Sequence, residues 1–133
     1  GRRVGSETAE YLTLRGATVT VVTRSPLSQL AADAAPTYRA PLLRRLKNAE
    51  VKLIGDHDVK EITGQGLTLV GPDKEEEFLA ADLVVVARGA VPQRSLADEA
   101  ARLVNEVHVI GDSVEPRSIA EAMFEGTMAG RRI

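Results

Sequence analysis

Gly1-Arg2-Arg3-Val4-Gly5-Ser6-Glu7-Thr8-Ala9-Glu10-Tyr11-Leu12-Thr13-Leu14-Arg15-Gly16 runs straight into Ala17-Thr18-Val19-Thr20-Val21-Val22-Thr23-Arg24. The order is a glycine-bearing turn, a helix, a helix-ending glycine and a β-branched strand. Residues 6–15 are good helix formers, with Ala9, Leu12 and Leu14 expected inward and Gly16 as the stop. Residues 18–22 are expected to be a strand covered on both faces. Together they read as the middle of a βαβ dinucleotide-binding unit. Glycines let the backbone approach a pyrophosphate, and free N–H groups at the helix start point towards its charge. No strand precedes the turn, so the chain reads as cut, inside the motif, from something larger.

Working outward, 133 residues suffice for one domain with a real core. A net charge of −2 argues against a nucleic-acid binder, and Arg44-Arg45 and Arg131-Arg132 are pairs rather than a basic footprint. No apolar run approaches the roughly 20 residues that cross a bilayer, so no membrane association is expected. Cysteine is absent, which excludes disulfides and thiolate-held clusters in this stretch and fits a cytoplasmic protein. His57 and His108 stand apart, whereas a zinc site needs about three or four ligands.

Residues 24–36 read as a loop with one helical turn in 27–32. Residues 37–49 read as a helix with Tyr38, Leu42, Leu43 and Leu46 inward, Tyr38 as a core anchor, and Pro41 near the first turn. Residues 51–54 form a short strand. Residues 59–63, 66–70 and 75–79 follow as an antiparallel meander, with turns at Gly64-Gln65-Gly66 and Gly71-Pro72-Asp73-Lys74. Glu75-Glu76-Glu77 reads as a charged, solvated edge. Two apolar runs, 82–87 and 107–112, read as further buried strands. Helices are expected over 95–102 and 119–132, the second with Ile119, Met123 and Met128 inward. The fold class is α/β: a Rossmann-like parallel sheet with an antiparallel meander, truncated at the first strand.

Strand ends fix the candidate site. In open α/β sheets ligands lie beyond the carboxyl ends of the parallel strands. Thr23, Arg24, Arg88 and Gly89 are therefore expected to share a crevice with Gly1, Val4 and Gly5. The N–H groups of Gly5 and Ser6 are expected near the pyrophosphate. Glu7 is either a partner of the helix dipole or a neighbour of the nicotinamide.

Gly5-Ser6-Glu7-Thr8-Ala9, Ala87-Arg88-Gly89 with Pro92, and Ile110-Gly111-Asp112 followed by Glu115-Pro116-Arg117-Ser118-Ile119-Ala120 occur in one order across the chain. They resemble the C-terminal half of the flavoenzyme family that contains 2,4-dienoyl-CoA reductase, enoate reductases of the old-yellow-enzyme type, and trimethylamine and histamine dehydrogenases. The resemblance implies a pyridine-nucleotide domain over residues 1–106 and a return segment of the flavin-binding domain over 107–133. It implies NAD(P)H and FAD as cofactors here. FMN and an iron–sulfur cluster would belong to a barrel absent from this sequence. The implied partners are that barrel and the rest of the flavin domain, with a homo-oligomer expected from open sheet edges. No side chain here is expected to act as acid, base or nucleophile, since the cofactors carry the redox step.

By the same resemblance, Gly111 and Asp112 would meet the flavin's ribityl chain or the equivalent nucleotide region, with Ile119 and Ala120 beside it. The plainer reading of Asp112 is a strand-ending turn residue. Arg2 stands where the family has its middle glycine and either obstructs the pyrophosphate or reaches it directly. Thr23-Arg24 stands where NAD-specific folds carry an acid, which leans towards NADPH through an Arg24–phosphate pair; the plainer reading is a solvated loop arginine. Two functions compete: a nucleotide-positioning part of an NAD(P)H-dependent flavin oxidoreductase, or a scaffold domain of nucleotide-binding ancestry that takes no nucleotide.

Overall fold

The computed structural model describes residues 1–132 and resolves two compact units, Gly1–Gly89 and Ala90–Ile133. In the first unit, helix α1 (Arg3–Leu14) leads to strand β1 (Thr20–Val22), helix α2 (Pro36–Asn48) and strand β2 (Lys52–Ile54). β1 and β2 pair in parallel, with Val21 opposite Leu53. α1 ends as the sequence leads one to expect. Gly16 takes φ +85°, and the amides of Gly16 and Ala17 turn back to the carbonyls of Thr13 and Leu12. A side chain at Gly16 would strain that left-handed closure.

α1 and α2 lie against the parallel strands around Ala9, Ala31, Leu42, Leu46 and Val51, with Val19, Val21, Leu43 and Leu53 packed at the margin. Leu42 and Leu46 are fully buried, four residues apart on one face of α2. Burying each is worth roughly 1.5–3 kcal/mol. Pro36 opens α2 at a position where its missing N–H costs nothing. Pro41 sits further in than expected, at the sixth helical residue, where it leaves the Thr37 carbonyl without its usual donor.

Strands β3 (Asp58–Thr63), β4 (Gly66–Val70) and β5 (Glu76–Ala80) form the expected meander in spatial order β3-β4-β5. Leu67 and Leu69 on the central strand are buried. β5 is the acidic edge, and Lys60 reaches across to Glu76 at 2.5 Å. The α/β class, with its parallel pair and antiparallel meander, is as expected.

In the second unit, helix α3 (Ser95–Ala100) precedes a 3₁₀ turn, Gly111–Ser113, and helix α4 (Ile119–Gly130). Ser118 and Glu121 close a reciprocal capping box at the start of α4.

Several expectations fail. Residues 82–87 and 107–112 are not strands: the first run pairs with no strand among the described residues, and Gly111-Asp112 lies in the 3₁₀ turn. Without a neighbour to take its backbone bonds, a β-prone run stays irregular. Leu83, Val85 and Val86 are accordingly exposed. Strand β1 is only half-buried rather than covered on both faces. Leu14 is exposed, as are Ile119 and Met123. Tyr38 is no core anchor: it lies at the surface, and its hydroxyl donates to Glu7 Oε1 at 2.8 Å. That carboxylate raises the phenol's pKa above its ordinary value.

Candidate nucleotide-binding site

The amino end of α1 is built to face an anion. The first intrahelical bond is made by the Ser6 amide to the Arg2 carbonyl, at 3.3 Å. That leaves the amides of Arg3, Val4 and Gly5 to find partners outside the helix. Arg3 N–H donates to Asp33 Oδ1 at 2.7 Å. Val4 and Gly5 amides have no acceptor among the described residues. The open donors are therefore those of Val4 and Gly5, whereas the Ser6 amide is engaged and Ser6 itself is buried. Glu7 is the fifth residue of α1, beyond the first turn, so its role as a dipole partner weakens. It instead accepts from Tyr38 and lies 3.8 Å from Arg3.

The glycines mark close approaches. A Cβ on Gly1 would come within 2.3 Å of Thr23 Oγ1, and one on Gly5 within 3.2 Å of the Ala87 Cβ. Gly5 thus lets α1 settle against residue 87, the packing role of the last fingerprint glycine. The Arg2 guanidinium reaches over Gly89, whose φ is +88°. Gly1, Thr23, Gly5 and Gly89 thereby lie round the helix start, and Arg88 is exposed. Two open amides with a guanidinium nearby fit a diphosphate. Arg24 points elsewhere: its Nε lies 2.5 Å from Asp58 Oδ1.

In the second unit, Gly111, at φ +62°, is buried against Ala122, whose Cβ would stand 3.3 Å from a Cβ placed there. Its amide donates to Glu125 Oε2 at 2.7 Å, and Glu125 also pairs with Arg117. These contacts, the Gly111 amide foremost, hold the Glu125 carboxyl below its usual range. Asp112 Oδ1 accepts from the Arg117 amide at 3.3 Å. Ala120 N–H is taken by the Ser118 hydroxyl at 3.2 Å, and Ile119 faces outward. Gly111, Asp112, Ile119 and Ala120 thus belong to one short segment around the start of α4.

Residues 3–126 match the sequence profile of the pyridine nucleotide-disulphide oxidoreductases. The chain belongs to that family. By family it is an oxidoreductase sequence, with the nucleotide-binding fold its elements describe. A relative named NADH oxidase, from Thermoanaerobacter brockii, is 32% identical over 131 residues, covering 95% of this chain and 19% of that protein. Another, named metal reductase, from Desulforamulus reducens, is 30% identical over 93 residues, covering 70% of this chain and 14% of its own length. Among solved structures, a 2-naphthoyl-CoA reductase in complex with 2-naphthoyl-CoA superposes with a TM-score of 0.86 at 26% identity, over 100% of this chain and 20% of that one. Histamine dehydrogenase from Rhizobium sp. 4-9 superposes at 0.85 and 20% identity, over 99% and 22%. The chain thus spans about a fifth or less of the proteins it matches. Histamine dehydrogenase is a member of the group the sequence motifs resemble.

Against that family, sequence reasoning missed Asp33, Asp58 and Glu125. Asp33 and Asp58 meet partners 30 and 34 residues away and leave no local pattern. Sequence reasoning also missed the capping box, which the pattern Ser118-x-x-Glu121 ahead of an apolar helix could have given away. No helix among the described residues is long and apolar enough to cross a membrane.

Proposed function

We propose that this chain binds the diphosphate of a nicotinamide dinucleotide at the start of α1 and positions it for hydride transfer to a flavin, within a larger multi-cofactor oxidoreductase of the cytoplasm. The observation that carries the reading is the pair of open amides at Val4 and Gly5, reached through close-packed Gly1 and Gly5. When bound, the nicotinamide supplies the hydride. The chain's own task is to hold and orient it, with Arg2 adding positive charge at the helix mouth. Residues 1–106 form the nucleotide domain in this reading, and 107–133 return to the flavin-binding domain. Gly111 and Asp112 then face FAD, with Ile119 and Ala120 at the adjoining helix start. FMN and an iron–sulfur cluster belong to a barrel outside this sequence.

One contact favours the second reading, a scaffold that takes no nucleotide. Asp33 already supplies a carboxylate to the first amide of α1. A fluorescence titration of the full-length protein with NADH and NADPH separates the two. Saturable binding below millimolar concentration, weakened at least about tenfold by Gly5→Val, supports the catalytic reading. No binding to folded protein up to millimolar concentration leaves the scaffold.

A further inference from the structure

Resting on the dinucleotide reading above, we propose that Asp58 makes this site selective for NADH over NADPH by occupying Arg24. In a βαβ dinucleotide unit the end of the second strand meets the adenosine ribose. Here that end is Thr23-Arg24, immediately after β1. A free arginine there would welcome a 2′-phosphate, which carries a charge of about −2 at neutral pH. Arg24 is not free, because its Nε is 2.5 Å from Asp58 Oδ1.

The pair is set by backbone rather than by chance meeting of two long side chains. Thr23 N–H donates to the Ile54 carbonyl at 2.9 Å, and His57 N–H donates to the Thr23 carbonyl at 3.2 Å. Asp56 N–H donates to the Ser25 carbonyl at 3.3 Å. Gly55 packs against Leu27, and a Cβ there would come within 2.8 Å of Leu27 Cγ. The turn between β2 and β3 is thereby stitched to residues 23–25, bringing Asp58 beside Arg24. The sequence places no acid at the end of β1; the fold delivers one from the first residue of β3.

The pair is also in the wrong place to serve stability. Its side chains are 68% and 54% exposed, and such solvent-screened surface pairs add little to stability. Its consequence is electrostatic. A 2′-phosphate must displace Asp58 from Arg24 and then lie beside the carboxylate it has displaced. A ribose with free hydroxyls presents no such conflict and offers donors to a carboxylate.

The test is a titration of NADH and NADPH, by nicotinamide fluorescence at low ionic strength, into the full-length protein and two variants. Wild type is expected to bind NADH at least about tenfold more tightly than NADPH. Asp58→Asn frees Arg24 and shifts that ratio towards NADPH by about tenfold or more. Adding Arg24→Ala to Asp58→Asn removes the gain. Because both dinucleotides are measured on each variant, a general loss of fold cannot imitate a change in their ratio. A wild-type preference for NADPH, or a ratio unmoved by Asp58→Asn, overturns the role of Asp58 while leaving dinucleotide binding intact. Failure of both dinucleotides to bind folded wild type removes the dinucleotide reading, and this inference with it.

Discussion

Gly66 is the position where one methyl group would do most damage. Its φ is +148°, and an added Cβ would stand 2.2 Å from the Leu79 carbonyl oxygen and 2.9 Å from Ala80 Cα. Both obstacles are backbone of β5, fixed by the ladder that pairs Gly66 with Ala80. Gly66→Ala should therefore destabilise the protein by about 2–3 kcal/mol, read as a fall in thermal midpoint. Gly64→Ala, whose Cβ meets nothing within 4 Å, should fall within about 0.5 kcal/mol of wild type. Equal midpoints for the two variants would refute the argument. Glu125 makes a different residue-scale prediction. Its folded-state pKa is lowered by the Gly111 amide and then by Arg117. A lowered folded value means that the stabilisation is present above the ordinary glutamate range and is lost as pH falls through the folded value. Glu125→Gln should thus melt below wild type at neutral pH and converge with it in acid. A melting difference that stays constant through the acid range would reject this. Gly16 and Gly66 were legible in the sequence because a turn's backbone needs are local. Asp33, Asp58 and Glu125 were not, because their partners are supplied by the fold.

At the scale of elements, what the sequence revealed depends on where each element finds its hydrogen bonds. Helices satisfy their own backbone, so α1, α2 and α4 stand close to where apolar spacing puts them. The meander was readable for a similar reason: its three strands are consecutive and its turns carry Gly, Pro and Asp. Residues 82–87 and 107–112 looked at least as strand-like in composition, yet a strand exists only with a neighbour, and neighbours are not written into a single run. The parallel pair shows the other side of this rule. β1 and β2 are only three residues each, and they persist because α1 and α2 cover them. Removing that cover should be costly. Leu42 is fully buried between Ala9, Leu46 and the strands, and Leu42→Ala should lose about 2–5 kcal/mol. Chemical denaturation checks this. A loss under about 1 kcal/mol would mean that α2 is not what holds the parallel pair.

At the scale of the whole molecule, the candidate nucleotide contacts fall in the first compact unit and the candidate flavin contacts in the second. The division between units falls after Gly89. Residues 88–94 there have no regular structure and are exposed at every position. Proteases need an accessible segment that can unfold locally, so structured elements resist and such connections yield. Brief trypsin treatment of the 133-residue chain should cut first after Arg88, Arg94 or Arg102. Arg39 and Arg45 should be spared, although they are equally good tryptic residues. Arg39 is held by the carbonyls of Leu30 and Ser28, and Arg45 pairs with Glu10, both on a helix that carries the core. Mass spectrometry of the early products decides the matter. Products ending at residue 88 or 94 would show that the first unit holds together through its own core. Early cuts within 39–47 would show that α2 opens before the connection does, and the separate cohesion of the first unit would be lost.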